Sequence, residues 1–262
     1  MSGRSDEKNR DGASALSQPS LPPDAPLEQL IHDPSPEVLR VVAGDSRLTE
    51  DLAMVLLKRR DLPREALDLL FKNKSLARRR KVQLAVVMHP HAPRRVSIPI
   101  IRHLYAFELM QVALTGSVAP DVKRAAEETL VAKLGTISSG ERMELAKRGS
   151  GRVAAALLLD QEERIMEASL QNPQMTEVWI VKALKAGSGT GRLAPAVCRH
   201  QKWSQRTDVK MALIANHSTP FARVVQFAGE LSPRALKEIV NAAPLAAPTK
   251  TYLKKMLDNH SR

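Results

Sequence analysis

The stretch Leu48–Lys58, LTEDLAMVLLK, is repeated in altered form 127 residues later by Met175–Lys185, MTEVWIVKALK. Both begin with a Thr-Glu pair, and apolar residues follow at the three- and four-residue spacing of an amphipathic helix. Threonine is a favoured residue immediately before a helix, because its hydroxyl accepts a hydrogen bond from a backbone N–H that has no other partner. The pair of stretches therefore predicts the same short helix twice.

The correspondence extends well beyond this helix. Residues 30–132 align with residues 157–259 without a gap, and many aligned positions exchange one apolar residue for another. Such pairs include Leu52/Trp179, Leu76/Trp203, Leu84/Met211 and Val87/Ile214. Conserved apolar character with changed identity is expected where packing constrains a position. We therefore predict two super-repeats of 127-residue period, at residues 27–153 and 154–262, after a disordered N-terminal tail at residues 1–26.

The rest of the chain predicts short helices and no strand. Ser-Pro pairs at Ser35 and Ser232 place a capping residue before a proline suited to the first helical turn. Ser138 and Glu141 have the spacing of a capping box. No segment alternates apolar and polar residues between turn signals, as a half-buried strand does. Short helices combined with self-similarity are typical of an α-solenoid, so the predicted fold class is all-α.

Composition narrows the protein class. Only 3% of the residues are aromatic, so the core must be built from aliphatic side chains. The longest apolar run, Val153–Leu159, is much shorter than the roughly 20 residues of a membrane-spanning helix. Cys198 is the one cysteine, which excludes an internal disulfide and a cysteine-based metal cluster. We expect a cytoplasmic protein without a cofactor.

The turn and capping residues around the predicted helices resemble those of one repeat family. Residues 32–49, HDPSPEVLRVVAGDSRLT, resemble a unit of the leucine-rich repeat variant family and of related HEAT-like repeats, and His89–Pro93 and Asn172–Thr176 resemble its second half. The likeness covers residues 27–115 and 154–243. It implies a right-handed superhelix of short helices with tight turns. The cysteine cluster that holds an iron–sulfur centre in some members of that family is missing, so the resemblance implies no cofactor here.

The positive charge is concentrated in one part of the chain. The formal net charge is +12, and residues 58–102 contain thirteen Lys or Arg against three acids, a net charge of +10. The candidate binding residues are three clusters together with one arginine of the second super-repeat: Lys58, Arg59, Arg60; Arg78, Arg79, Arg80, Lys81; Arg94, Arg95; and Arg206. They could bind a polyanion or an acidic partner. Alternatively, they could be cations that interact with helix C-termini and keep a surface soluble.

Other conspicuous residues favour packing or turns. Trp203 aligns with Leu76 and Trp179 with Leu52, so both tryptophans are predicted to pack in the core rather than to bind a ligand. His89 and His91 are close together, but no neighbouring ligand set accompanies them. The glycine-rich segment 187–191 lacks the features of a phosphate loop and is interpreted as a turn between helices.

We therefore expect a non-catalytic helical-repeat scaffold or adaptor that binds an acidic protein or peptide. The alternative is sequence-independent nucleic-acid binding through the basic N-terminal half. A third reading, a HEAT-like DNA glycosylase, is disfavoured because such chemistry requires an aromatic cleft, and the chain has only two Trp, two Tyr and four Phe.

Overall fold

A computed structural model describes residues 26–186, 189–242 and 244–260. These residues form helices, turns and no β-strand, which confirms the all-α class. The predicted disordered tail, residues 1–26, lies outside the described residues except for Pro26. None of the helices within the described ranges is both long enough and apolar enough to span a bilayer.

Nineteen α-helices and one 3₁₀ turn make up the described part of the chain. The first six helices are α1 (Leu27–Leu30), α2 (Pro36–Gly44), α3 (Glu50–Leu57), α4 (Arg64–Lys72), α5 (Lys74–Ala77) and α6 (Arg80–Met88). They are followed by α7 (Arg94–Ile101), α8 (Ala106–Leu114), α9 (Pro120–Lys133), the 3₁₀ turn Leu134–Thr136, α10 (Ser139–Arg148), α11 (Gly151–Leu157), α12 (Glu163–Leu170) and α13 (Glu177–Lys185). The last helices are α14 (Thr190–Arg199), α15 (Gln201–Ser204), α16 (Thr207–Ala215), α17 (Phe221–Glu230), α18 (Pro233–Ala242) and α19 (Ala247–His260).

Helix bounds recur at an offset of 127 residues. The pairs α5/α15, α6/α16 and α9/α19 have the same bounds at both ends after the shift, and each of the other six helices from α1 to α9 also has a counterpart. Only the 3₁₀ turn and α10, within the described residues, fall between the two series without a counterpart. The helix pattern of residues 27–133 is therefore found again in residues 151–260.

Local turns recur at the same offset. The Asp33 carboxylate accepts a hydrogen bond from the backbone N–H two residues later at 2.7 Å, and Asp160 does the same at 2.9 Å. Asp45 and Asn172 form a second equivalent pair, at 2.8 and 2.7 Å. Such turns orient the chain as it leaves one helix and enters the next. The two series thus share their connections as well as their helices.

Cα packing divides the chain into two compact units. The first contains the described residues up to Val86 together with His91–Pro93, and the second contains Val87–Pro90 and the chain from Arg94 onwards. This division is a different one from the predicted super-repeats, because it falls inside the first of them. In the first unit α2 packs against α4 and α1. In the second, α13 packs against α11 and α16, α16 packs against α18, and α12 packs against α10 and α14.

Trp203 and Asn172 show how successive helices of the second unit are joined. Trp203 is buried, and its indole N–H donates to the Leu170 carbonyl oxygen at 2.8 Å, which confirms its predicted packing role. The buried Asn172 amide donates to the carbonyl oxygens of Ala146 at 2.7 Å and Gly149 at 3.1 Å. Asn216 repeats the arrangement by donating to the Leu184 carbonyl oxygen at 2.7 Å. Buried side-chain amides thereby satisfy carbonyl groups at helix ends that water cannot reach.

Capping residues start several helices as the sequence predicted. The Thr49 hydroxyl accepts from the Leu52 N–H, and Ser138 and Glu141 form the predicted capping box. Thr176, the equivalent of Thr49, makes no such bond to its helix. The two series therefore begin this shared helix with the same residue and different cap geometry.

Candidate partner-binding surface

The candidate cations of the first unit lie at or next to helix ends. Lys58 caps the C-terminus of α3, and Arg59 and Arg60 follow it. Arg78 caps α5, Arg79 immediately precedes α6, and Arg80 and Lys81 begin α6. The two clusters therefore occupy different kinds of helix end, one C-terminal and one N-terminal.

Arg59 has a packing role that sequence reasoning did not anticipate. Its guanidinium donates to the carbonyl oxygens of Ile31 at 2.9 Å and Asp33 at 2.8 Å, at the end of α1. It also forms a two-pronged ion pair with Asp61, with a shortest distance of 2.7 Å. The hydrogen bond that the Arg59 guanidinium donates to the Asp61 carboxylate raises the pKa of Arg59. Arg59 thus links the turn after α3 to the end of α1. Its side chain is only 18% exposed.

Arg78 and Lys81, on either side of the start of α6, make no comparable contacts with the described residues. The N-terminus of a helix carries the positive end of the helix dipole, so cations there are destabilised by a few tenths of a kcal/mol each, roughly. Arg79 reaches Glu50 at 3.6 Å with 64% of its side chain exposed, which is a weak surface pair. Arg78 and Lys81 are exposed and have no ion-pair partner among the described residues. The alternative interpretation, that these cations interact with helix C-termini, therefore fits Lys58. It does not fit Arg80 and Lys81, which lie at a helix N-terminus.

The structure separates the two clusters of the first unit. Arg79 lies beside Glu50, the first residue of α3, whereas Lys58 caps the other end of the same helix. Eight helical residues span roughly 12 Å. The cluster at Arg78–Lys81 and the cluster at Lys58–Arg60 are consequently at opposite ends of α3.

The remaining candidates lie in the second unit. Arg94 and Arg95 occupy the first turn of α7, again at a helix N-terminus, and Arg94 pairs with Asp121 at 3.6 Å. Arg206 is exposed immediately before α16. It is the position equivalent to Arg79, and its neighbours are much less basic than those of Arg79.

The two series of helices differ in charge at the residues that lead into α6 and α16. The tetrad Arg78–Lys81 carries four positive charges, whereas its counterpart, Gln205–Asp208, has a net charge of zero. The helices α6 and α16 nevertheless have the same bounds after the shift. Formation of this helix start therefore does not require the cations, and their presence in the first series calls for another reason.

A groove on the second unit differs from the basic clusters in having balanced charge. An open groove of about 630 Å³ runs beside α13 and the start of α16. Its apolar lining includes Val178 and Val181, and its charged lining combines Lys182 and Lys185 with acidic Glu177 and Asp208. Because the charges balance, this groove does not select for an acidic ligand.

Burial shifts the pKa values of two residues of types common in catalysis, Cys198 and His200. Cys198 lies inside α14, and burial raises the pKa of its thiol, which disfavours the reactive thiolate. Burial and the nearby Lys202 lower the pKa of His200, which packs beside Trp203. The described ranges contain no group of three or more side chains that could hold a metal ion. These sites offer no activated nucleophile paired with a base.

Comparison of the chain with protein-family models, curated proteins and solved structures gave no match.

Proposed function

We propose that this protein is a non-catalytic helical-repeat scaffold, an α-solenoid of two 127-residue super-repeats, that binds an acidic protein or peptide through the basic first super-repeat. Arg78–Lys81 is the centre of the binding surface, with Lys58 and Arg60 of the same compact unit as additional cations. Arg59 is assigned to packing. The protein acts in the cytoplasm and belongs with the leucine-rich repeat variant and HEAT-like repeats in its architecture.

Three observations support the proposed architecture. Nine helices recur at one fixed offset, and so do the turns at Asp33/Asp160 and Asp45/Asn172. The pair Leu76 and Trp203 is equally buried in both series. In repeat proteins each unit covers the apolar face of its neighbour, which makes this conservation of buried character necessary.

One observation carries the proposed function. The four consecutive cations Arg78–Lys81 run from the C-terminus of α5 into the first turn of α6, where Arg80 and Lys81 lie at the end of a helix that disfavours positive charge, while the equivalent start of α16 has no net charge. A bound acidic segment would offset the unfavourable interaction with the helix dipole and would also accept hydrogen bonds from the exposed guanidinium groups. An acidic partner therefore explains both the presence and the position of the charge.

An acidic protein segment fits this surface better than a nucleic acid. Non-specific nucleic-acid grooves combine a continuous basic track with aromatic side chains on which bases stack. In the first unit the clusters stand at opposite ends of α3, and the aromatic content of the chain is 3%. Sequence-independent nucleic-acid binding is the alternative function, and the same experiment tests it.

The experiment compares two probes across a salt series from about 50 mM upwards. The probes are a poly-glutamate peptide of about 20 residues and a random duplex of about 20 base pairs, both followed by fluorescence anisotropy. The informative variant is Arg78→Gln with Lys81→Gln, which spares the Arg79–Glu50 pair. We expect poly-glutamate affinity to fall by about two- to thirtyfold, because two exposed charge pairs contribute roughly 0.2–1 kcal/mol each.

The matched control is Lys182→Gln with Lys185→Gln on α13, which removes the same charge from the groove of balanced charge. This variant should bind poly-glutamate within about twofold of the unmodified protein. Preferential binding of the duplex, with a salt slope that flattens in the Arg78/Lys81 variant, would replace the proposal with the nucleic-acid alternative. Lack of binding to either probe at about 50 mM salt would exclude both functions.

A further inference from the structure

Helix α8 exposes an apolar stripe. Phe107 and Leu114 are 44% and 45% exposed, Met110 lies between them half-buried, and Tyr105 just before the helix is 66% exposed. With a helical rotation of 100° per residue, Phe107, Met110 and Leu114 lie on one face. The opposite face is buried and contains Leu109 and Val112. We call the residues Phe107, Met110 and Leu114 the α8 stripe.

The equivalent helix shows that packing does not require this stripe. Helix α18 buries Leu236 and Ile239 at the positions equivalent to Leu109 and Val112. At the positions of the α8 stripe it carries Arg234, Lys237 and Asn241, all of them exposed. The same helical framework is therefore built with a polar outer face in one series and an apolar outer face in the other. An apolar patch retained on the outside of a helix is typical of a protein-interaction site.

Cations stand at both ends of the α8 stripe. Before α8, the Lys133 ammonium donates to the carbonyl oxygens of Arg102 at 3.2 Å and Leu104 at 2.8 Å, and the Arg102 side chain is exposed in the same turn. After α8, the Lys123 ammonium lies 3.4 Å from the Gly116 carbonyl oxygen. The one acid in α8 is Glu108, whose carboxylate accepts from the Tyr105 N–H at 2.7 Å. The surface therefore presents an apolar centre with positive charge at each end.

We propose that the α8 stripe is the docking site for an amphipathic helix of a partner protein, with apolar residues on one face and acidic residues at both ends. Apolar anchors at i, i+3/i+4 and i+7 are how an amphipathic helix is recognised on such a surface. The acidic ends are complementary to Arg102 and Lys133 at one end of α8 and to Lys123 at the other. The inference rests on the proposed function in taking the partner to be acidic, and it adds a second contact surface to the basic clusters.

The test uses the full chain and a synthetic peptide of about 18 residues, with leucines at helical i, i+3/i+4 and i+7 spacing and glutamates elsewhere. Fluorescence anisotropy at about 150 mM salt measures its affinity. The key variant carries Phe107→Arg, Met110→Lys and Leu114→Asn, the residues that α18 has at the equivalent positions. Because α18 accommodates them on the same framework, the variant should unfold at the temperature of the unmodified protein.

We expect this variant to lose at least about tenfold in affinity for the Leu/Glu peptide, since buried apolar anchors dominate such interfaces. The substitutions add two positive charges, so a loss of binding cannot come from weaker charge attraction. A control variant, Val178→Asn, removes another highly exposed apolar side chain and should leave the affinity within about twofold.

Three results would overturn the inference. The first is equal affinity of the unmodified protein and the stripe variant for the Leu/Glu peptide. The second is equally tight binding of a Leu/Lys peptide, which would show that charge at the ends of the stripe is irrelevant. The third is a dimer in sedimentation experiments that the stripe variant abolishes, which would make a second copy of the chain the occupant.

The Arg78→Gln/Lys81→Gln variant separates this inference from the proposed function. It should bind the Leu/Glu peptide within about threefold of the unmodified protein, because the α8 stripe is intact. Failure of poly-glutamate binding with retained, stripe-dependent binding of the Leu/Glu peptide would remove the proposed role of the basic tetrad and leave the docking site standing. Retained poly-glutamate binding without stripe-dependent binding of the Leu/Glu peptide would remove the docking site and leave the proposed role of the basic tetrad standing.

Discussion

Replacing Asn172 by alanine is expected to lower the free energy of unfolding by about 2–4 kcal/mol. The Asn172 amide donates to two buried carbonyl oxygens, of Ala146 and Gly149, and its own oxygen accepts from the Gln174 N–H. Alanine would leave the two buried carbonyl oxygens without the Asn172 donor, and each unpaired buried group costs about 1–3 kcal/mol.

Urea denaturation monitored by circular dichroism measures this effect. Asn172→Asp keeps the acceptor for Gln174 but places a carboxylate against two carbonyl oxygens, so it should be at least as destabilising as alanine. Asn241→Ala, at an exposed position of α18, is the control and should change the stability by no more than about 0.5 kcal/mol. A midpoint for Asn172→Ala equal to that of the control would contradict the hydrogen-bonding role.

Replacing Arg142 by methionine is expected to cost about 2–4 kcal/mol. Arg142 joins α10 to the turn before α12 through Asp160 at 2.8 Å, Glu162 at 3.0 Å and the Ile137 carbonyl oxygen at 3.1 Å. The Asp160 side chain is only 8% exposed, so most of the loss comes from leaving that carboxylate without its cation. Methionine replaces the aliphatic part of the arginine side chain and removes the charged guanidinium group.

The control for this prediction is Arg148→Met on the same helix. Arg148 is 76% exposed and pairs with Glu144 at 3.6 Å, so its replacement should cost no more than about 1 kcal/mol. A thermal or urea midpoint for Arg142→Met that matches that of Arg148→Met would show that the Arg142 network does not stabilise the fold.

Residues with strong local preferences made much of the secondary structure predictable. Thr49 and the Ser138–Glu141 box mark helix starts because capping is a local property of three or four residues. The all-α class followed from the same reasoning and is confirmed. The equivalence of Asp45 and Asn172 was less visible, because different residue types make the same turn.

Tertiary partners explain what the sequence could not show. Arg59 was grouped with Lys58 and Arg60 as a binding cation, yet it bonds to carbonyl oxygens 26 and 28 residues earlier in the chain. Nothing local to Arg59 specifies these partners.

The position of the cations within their helices was also hard to predict. Helix α6 begins at Arg80 without a Ser, Thr, Asp or Asn before it, so local sequence did not show that Arg80 and Lys81 fall at a helix N-terminus. The α8 stripe was missed because Ala106–Leu114 is apolar on nearly every face, and packing alone decides which face is exposed. A signal was nevertheless available in the mismatch of Phe107 with Arg234 and Met110 with Lys237 at the 127-residue offset.

The central claim is that the two series share a fold and that partner recognition belongs to the first. Hydrogen exchange of the full chain, with and without the poly-glutamate peptide, tests it most directly. Amide groups in the first turn of a helix have no intrahelical partner and exchange readily unless a ligand covers them. We predict slower exchange at the start of α6, Arg80–Met88, and unchanged exchange at the equivalent α16, Thr207–Ala215. Equal protection of both helices, or protection confined to α16, would contradict the account.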